Sequence, residues 1–418
     1  MLYEQWRKIA AERRGEAALR ETASGRRWTF AELFAAGEAW VIGSAGTSCP
    51  QGHAPEFIID LLAAWRENRI VFPLEAGQTP PEIFAPLKNC VHLKSTSATG
   101  GTARFVAFTA EQLAADAENI VATMGLRPDW PNLGVISLAH SYGFSNLVLP
   151  LLLHGIPLIL APAPLPEIVR RAVETEKAVT LPAVPAMWRA WHQADAIPPG
   201  IRLAISAGAP LPIILEQEIF QSHGLKIHNF LGSSECGGIA YDATATPRAD
   251  AALAGTPMRN VDLSVNDDGC LTVQSRAVAE TYWPETSAAL GGGVFQTSDL
   301  AEINNGQIFL RGRLGDQINV AGRKVSPETI ERALLAHPQV RECLVLGVPS
   351  RDAARLEIIV AVVATDVGEP ALKQFLLGKL PAWQVPREWR FVEKLPVNPR
   401  GKISRADWRR NFLSNTSA

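Results

Sequence analysis

No two cysteines stand in CxxC spacing, and the five present (Cys49, Cys90, Cys236, Cys270 and Cys343) are scattered and odd in number. A disulfide framework or a cysteine zinc site therefore fits poorly, and a reducing compartment suits the chain better. Charge of one sign is missing as well: 40 Lys and Arg face 42 Asp and Glu, for a net charge of −2. Nothing in that balance points to a nucleic acid or an anionic membrane surface as the main partner. A long apolar run is also absent. Trp130 to Pro166 contains no Asp, Glu, Lys or Arg, but prolines, glycines, His140 and His154 cut it into pieces such as LGVISLA and IPLILAP. Such pieces suit strands buried on both faces of a parallel sheet, not a membrane helix of about twenty apolar residues. The opening MLYEQWRKIAAERRGEAALRE is charged throughout and lacks the apolar core of a signal peptide. Internal repeats and low-complexity tracts are missing too. A cytoplasmic protein is the expectation.

What the chain does have is apolar residues, 47% of its 418, enough for a large core. From about residue 28 to 240, helical patterns alternate with short apolar runs: EFIIDLLAAWREN then RIVFPL, PEIVRRAVETE then AVTLPAV, AMWRAWHQA then RLAISAG. This alternation predicts βαβ units and an α/β fold with mostly parallel sheets. After residue 252 the texture changes to VDLSVNDDGCLTVQS and FQTSDLAEINNGQIFLRGR, where NDDG and NNG read as hairpin turns. We expect a large domain over 1–314, with a β-rich subdomain over about 252–314. A small mobile α+β domain over 315–418 should follow, with the boundary at Leu314-Gly315.

Four glycine-bearing segments look like nucleotide contacts. KSTSATGGTAR, Lys94 to Arg104, offers hydroxyls and backbone N–H groups to phosphates, although it lacks the GK[ST] ending of a Walker loop and equally reads as a plain Ser/Thr-rich loop. ISAGAPLP, Ile205 to Pro212, reads as a buried strand ending in a glycine turn, where open α/β sheets collect ligands. NFLGSSECGGIAYD places one carboxylate, Glu235, after two hydroxyls and between glycines, a pattern able to hold a hard cation or simply to form a tight turn. In QTSDLAEINNGQIFLRGR, Asp299 and Arg313 are expected in turns around a hairpin, where they suit ribose hydroxyls and phosphate, or serve as surface charges. LPVNPRGKISR, Leu395 to Arg405, projects Lys402 from a loop stiffened by prolines.

Together and in this order, from about residue 28 to 405, these segments resemble the adenylate-forming superfamily of acyl-CoA synthetases, peptide-synthetase adenylation domains and luciferases. RWTFAELF resembles the family's opening element, and AAWRENRIVFPLE the helix-to-strand passage after it. LAHSYG is similar to the segment bearing the acyl-pocket histidine or aromatic, SAGAPL to the adenine-contact strand end, and GSSE to the magnesium motif. TSDLAE resembles the ribose motif, GRLGDQINVAGRKVSPETIE the hinge and the loop after it, and LPVNPRGKISR the catalytic-lysine motif. In the phosphate loop, Ser97 stands where the family has glycine, Thr102 where it has proline, and Ala103 where it has lysine, with Arg104 adjacent.

The resemblance implies an active site in which Lys402, Glu235 and Ser234 are catalytic and Glu235 holds Mg2+. It implies nucleotide contacts from Thr96, Ser97, Thr99, Gly100, Arg104, Gly208, Ala209, Pro210, Leu231, Gly232, Ser233, Asp299 and Arg313. The acyl pocket falls to His140, Tyr142, Phe144, Asn146, Ala207, Gly237 and Gly238, the small residues leaving room for an aromatic ring or an alkyl chain. Gly315 takes the hinge. ATP, Mg2+ and coenzyme A are the implied cofactors and a small carboxylic acid the substrate. Two alternatives stay open: an enzyme that loads a carrier protein's phosphopantetheine arm, and a non-catalytic nucleotide-binding relative with an altered phosphate loop.

Overall fold

The computed structural model describes residues 1–43, 46–80, 89–95, 104–350, 356–395 and 405–415. The alternation of apolar runs and helical patterns produces parallel pairing. Val179–Ala183 pairs with Ile201–Ser206, and that strand with Ile227–Ser233, both in parallel. Val179–Ala183 is buried along its whole length, as a strand covered on both faces should be. Between these strands run the helices Pro185–Gln193 and Ile213–His223; the first opens on proline, whose fixed φ and missing N–H suit a first helical turn.

Beyond Ser233 the pairing becomes antiparallel. Gly237–Tyr241 returns along Ile227–Ser233, and Leu253–Pro257, Gln307–Arg313, Val294–Asn304, Cys270–Gln274 and Asp262–Val265 continue the same sheet to thirteen strands. The β-rich region is thus hydrogen-bonded into the main sheet and does not form a separate small one. Its NNG turn is present: Asn305 and Gly306 take φ of +50° and +75°, the left-handed pair a two-residue hairpin turn requires.

A five-stranded sheet contains Thr47–Ser48, Ile70–Val71, His92–Ser95, Phe105–Phe108 and Thr281–Trp283. The last of these arrives from far along the chain and sets Tyr282 opposite Val106, which on its other side lies opposite Lys94. In RWTFAELF, the Thr29 hydroxyl accepts the Glu32 N–H and the Glu32 carboxylate accepts the Thr29 N–H, so this motif is a capping box opening the helix Phe30–Ala39.

The small C-terminal domain is built on Val340–Pro349, Glu357–Thr365 and Glu388–Val392. Alternate residues serve two cores. Val345, Ile359, Ala361 and Val363 meet the helices Pro327–Leu335 and Glu369–Leu377, whereas Leu344, Leu346, Val360 and Val362 meet Leu395 and Phe412. Among the described residues no helix is long and apolar enough to cross a membrane.

Candidate active site

Ser233 pairs with Gly237 and Gly232 with Gly238, which leaves Ser234, Glu235 and Cys236 as the connection between two antiparallel strands. The Ser233 hydroxyl accepts the Cys236 N–H at 3.1 Å, and Gly237 takes φ +68° so that the chain can turn back. Glu235 is held at both ends. Its carbonyl accepts the Ala279 N–H at 2.9 Å, and its Oε1 accepts the Tyr282 hydroxyl at 3.1 Å. The guanidinium of Arg104 lies 4.1 Å from the centroid of the same tyrosine ring. Burial, and then the neighbouring Glu235 charge, raise the pKa of the Tyr282 hydroxyl, so it remains a donor.

A buried polar network supports this hairpin from behind. Gly238 donates its N–H to Asp116 Oδ1 at 3.0 Å, Ser145 donates to Asp116 Oδ2 at 2.6 Å, and Lys94 Nζ donates to Ser145 at 3.3 Å. Burial pulls the Lys94 pKa down, opposed by the charges of Asp116 and Glu235. Gly237 and Gly238 were expected to leave room for substrate. The structure fills the side of each glycine where a side chain would stand: a Cβ on Gly237 would lie 2.0 Å from Asp116 Oδ1, and one on Gly238 2.4 Å from Met258 Sδ.

Asp299 and Arg313 sit within strands, not in turns. They face each other in register across the hairpin, Arg313 Nε donating to Asp299 Oδ1 at 2.9 Å. Burial raises the pKa of the Cys236 thiol to about 12, and the charges of Glu235, Asp116 and Asp299 push it the same way. Gly208 turns the chain just past Ile201–Ser206 with φ +82°, leaving Ala209 and Pro210 exposed. This turn and the Ser234-Glu235 loop both follow carboxyl ends of adjacent parallel strands, where α/β sheets open to ligands. Gly232 is exposed and Leu231 half-buried, whereas Phe230 is buried against Tyr142, ring centroids 5.9 Å apart.

His140 Nε2 lies 3.1 Å from Glu75 Oε1, and Glu75 also accepts the Ser137 hydroxyl. The Tyr142 hydroxyl donates to the carbonyls of Ala183 and Ile205 at 3.4 and 3.5 Å, at the same strand ends where Ala207 donates its N–H to Ala183. Phe144 and Asn146, expected beside them, fall on the π-helical turn Phe144–Val148 and are core residues. Phe144 packs on His92 at 4.2 Å, and the Asn146 amide donates to the Tyr142 carbonyl at 3.2 Å. Gly315 is exposed in the turn Leu314–Asp316, with nothing within 4 Å of a would-be Cβ. Thr96, Ser97, Thr99, Gly100 and Lys402 lie outside the described residues.

Tyr282, Asp116 and Ser145 were missed by sequence reasoning, and Lys94 was read only as the first residue of the Ser/Thr-rich segment. Tyr282 stands in TYWP, where aromatics read only as core, and Asp116 is a polar position within an otherwise amphipathic helix, Ala110–Met124. Among the described residues no cluster of three or more His, Cys, Asp or Glu is placed to hold a metal. A lone Glu235 carboxylate still fits Mg2+, which takes one or two carboxylates and fills the rest of its shell with phosphate and water.

The sequence matches the AMP-binding enzyme family over residues 93–283 and the AMP-binding enzyme C-terminal domain over residues 329–402. The chain belongs to the adenylate-forming superfamily of AMP-binding enzymes. A feruloyl-CoA synthase of Amycolatopsis sp. is 27% identical over 387 residues, covering 86% of this chain and 78% of that protein. ATP-bound MatB from Rhodopseudomonas palustris shares the fold at a TM-score of 0.86 and 20% identity, over 99% of each chain. An amide bond synthetase, McbA from Marinactinospora thermotolerans, shares it at 0.84 and 22% identity, over 99% of this chain and 100% of that one. Curated relatives include proteins named as acid–CoA ligases, whereas the fold also serves a protein named for making amide bonds.

Proposed function

We propose that this chain activates a small carboxylic acid with ATP, releasing pyrophosphate, and then transfers the acyl group to the thiol of coenzyme A. The observation that carries this reading is the contiguous set Arg104–Tyr282–Glu235 beside the carboxyl ends of the parallel strands. In the first half-reaction the carboxylate oxygen attacks the α-phosphorus and the bond to pyrophosphate breaks. No general base is needed, because the acid is already ionised. The obstacle is repulsion between two anions. Mg2+ on Glu235, when bound, would supply charge neutralisation at the phosphates. The Ser234 hydroxyl, Arg104 and Lys402 would offer further positive or donor groups to the charge that grows on the α-phosphate. The Gly208-Ala209-Pro210 turn and the Leu231–Ser233 strand end would flank adenine, and Asp299 with Arg313 the ribose.

In the second half-reaction the thiol sulfur attacks the acyl carbonyl and AMP leaves, the thiol proton passing to solvent. A swing at Gly315 would exchange Lys402 for the 321–325 loop between the two steps; glycine makes so large a backbone change inexpensive. For the acid, the aromatic rings of Tyr142 and Phe230 favour an aromatic or medium-chain substrate. His140 and Glu75 face each other, so neither is left as an obvious partner for an α-amino group. The test is to form the adenylate from ATP, Mg2+ and each of a panel of acids, then offer either coenzyme A or a holo carrier protein. A thioester on coenzyme A is expected. A thioester on the carrier alone would replace this reading by its nearest alternative.

A further inference from the structure

Lys94, Val106 and Tyr282 are directly opposite one another on three adjacent strands, so they form one row across the five-stranded sheet. Paired residues in a sheet present their side chains to the same face. The two polar ends of this row converge on the hairpin bearing Glu235: the Tyr282 hydroxyl bonds its carboxylate at 3.1 Å, and the Lys94 ammonium feels its charge. The tyrosine ring meanwhile carries Arg104, which directly precedes the strand Phe105–Phe108.

We propose that Tyr282 is the positioning residue of the triphosphate site, its hydroxyl fixing the Glu235 carboxylate and its ring fixing the Arg104 guanidinium, so that one side chain sets the spacing between metal-binding and pyrophosphate-binding groups. This rests on the reading of Glu235 and Arg104 as triphosphate contacts. Glu235 stands on a three-residue connection, and a glutamate there has several rotamers of similar energy; a hydroxyl on Oε1 selects one and leaves Oε2 for a hard cation. Arg104 is a long side chain whose stacking on an aromatic face lowers the rotamer entropy lost when it meets a phosphate. A tyrosine kept only for packing would need neither its hydroxyl nor a guanidinium over its ring.

The two roles separate by substitution. Tyr282→Phe keeps the ring and removes the hydroxyl; Tyr282→Leu removes both. Mn2+ binding to the enzyme–ATP complex, followed by electron paramagnetic resonance, and metal-free pyrophosphate binding, followed by calorimetry, read the two sites without turnover. Tyr282→Phe is expected to weaken Mn2+ binding about ten-fold, the scale of one hydrogen bond to a charged group, while pyrophosphate affinity and the KM for the acid stay unchanged. Tyr282→Leu is expected to weaken both ligands. Wild-type Mn2+ affinity in Tyr282→Phe would overturn the proposal, even if Tyr282→Leu failed to fold. Wild-type enzyme that binds no ATP would sink the functional reading, and this inference with it.

Discussion

The Asp116 carboxylate takes the Gly238 N–H at 3.0 Å, so the helix Ala110–Met124 braces the hairpin that presents Glu235. The brace is tight. Gly237, at φ +68°, leaves no space for even a methyl group beside Asp116 Oδ1. Gly237→Ala should therefore destabilise the protein by about 2 kcal/mol or more, from left-handed strain plus displacement of a buried carboxylate. Gly315→Ala, where nothing lies within 4 Å of the added carbon, should be close to neutral. Denaturant midpoints of the two variants check the contrast.

Asp299 and Arg313 form an ion pair whose side chains are 18% and 58% exposed. With the Arg313 end mostly in water, the pair contributes only about 1 kcal/mol to folding. Asp299→Ala should therefore barely move the melting temperature, yet raise the KM for ATP about ten-fold or more by removing a charged ribose partner. An unchanged KM for ATP would remove Asp299 from the nucleotide site.

Much of this could be read in the residues before any coordinates. GSSE lies on a tight hairpin connection, NNG forms the expected turn, and SAGAP ends a parallel strand, because in each case local chemistry decides the backbone. Other features depend on contacts that no local pattern encodes. Tyr282 reaches Glu235 only because Thr281–Trp283 joins a sheet whose other strands come from the first 108 residues. The sequence also does not reveal that Asp116 and Met258 pack where side chains at Gly237 and Gly238 would stand. The π-helical turn that takes Phe144 and Asn146 into the core has no signature in SYGFSNLV.

His92 is buried, and neither ring nitrogen has a hydrogen-bond partner among the described residues. Burial, then the nearby Lys94 charge, holds its pKa well below the ordinary imidazole value, and burial lowers His53, His154 and His228 similarly. Below about pH 6.5 the unfolded chain takes up protons that these folded-state rings refuse. The stability they contribute is thus complete above that pH and is lost as pH falls, by up to about 1.4 kcal/mol per unit for each ring. The denaturant midpoint should fall between about pH 7.5 and pH 5.5, and His92→Phe should reduce the slope.

Lys402→Ala and Gly315→Pro should produce opposite defects. The first should slow adenylate formation while sparing thioester formation from pre-made acyl-adenylate. The second should slow the thioester step about ten-fold or more by restricting the swing, while leaving adenylate formation nearly intact. Single-turnover assays of each half-reaction separate them. Equal loss of both halves in Lys402→Ala would remove that lysine from its assigned step.

The central claim is that these groups surround one triphosphate and drive its attack by a carboxylate. Acid-dependent pyrophosphate release, measured with ATP and Mg2+ across a panel of aromatic and aliphatic acids, tests it most directly. The account predicts release with at least one acid, and one AMP for each thioester formed when coenzyme A is added. ATP binding without pyrophosphate release for any acid would contradict it and mark the chain as a non-catalytic member of its family.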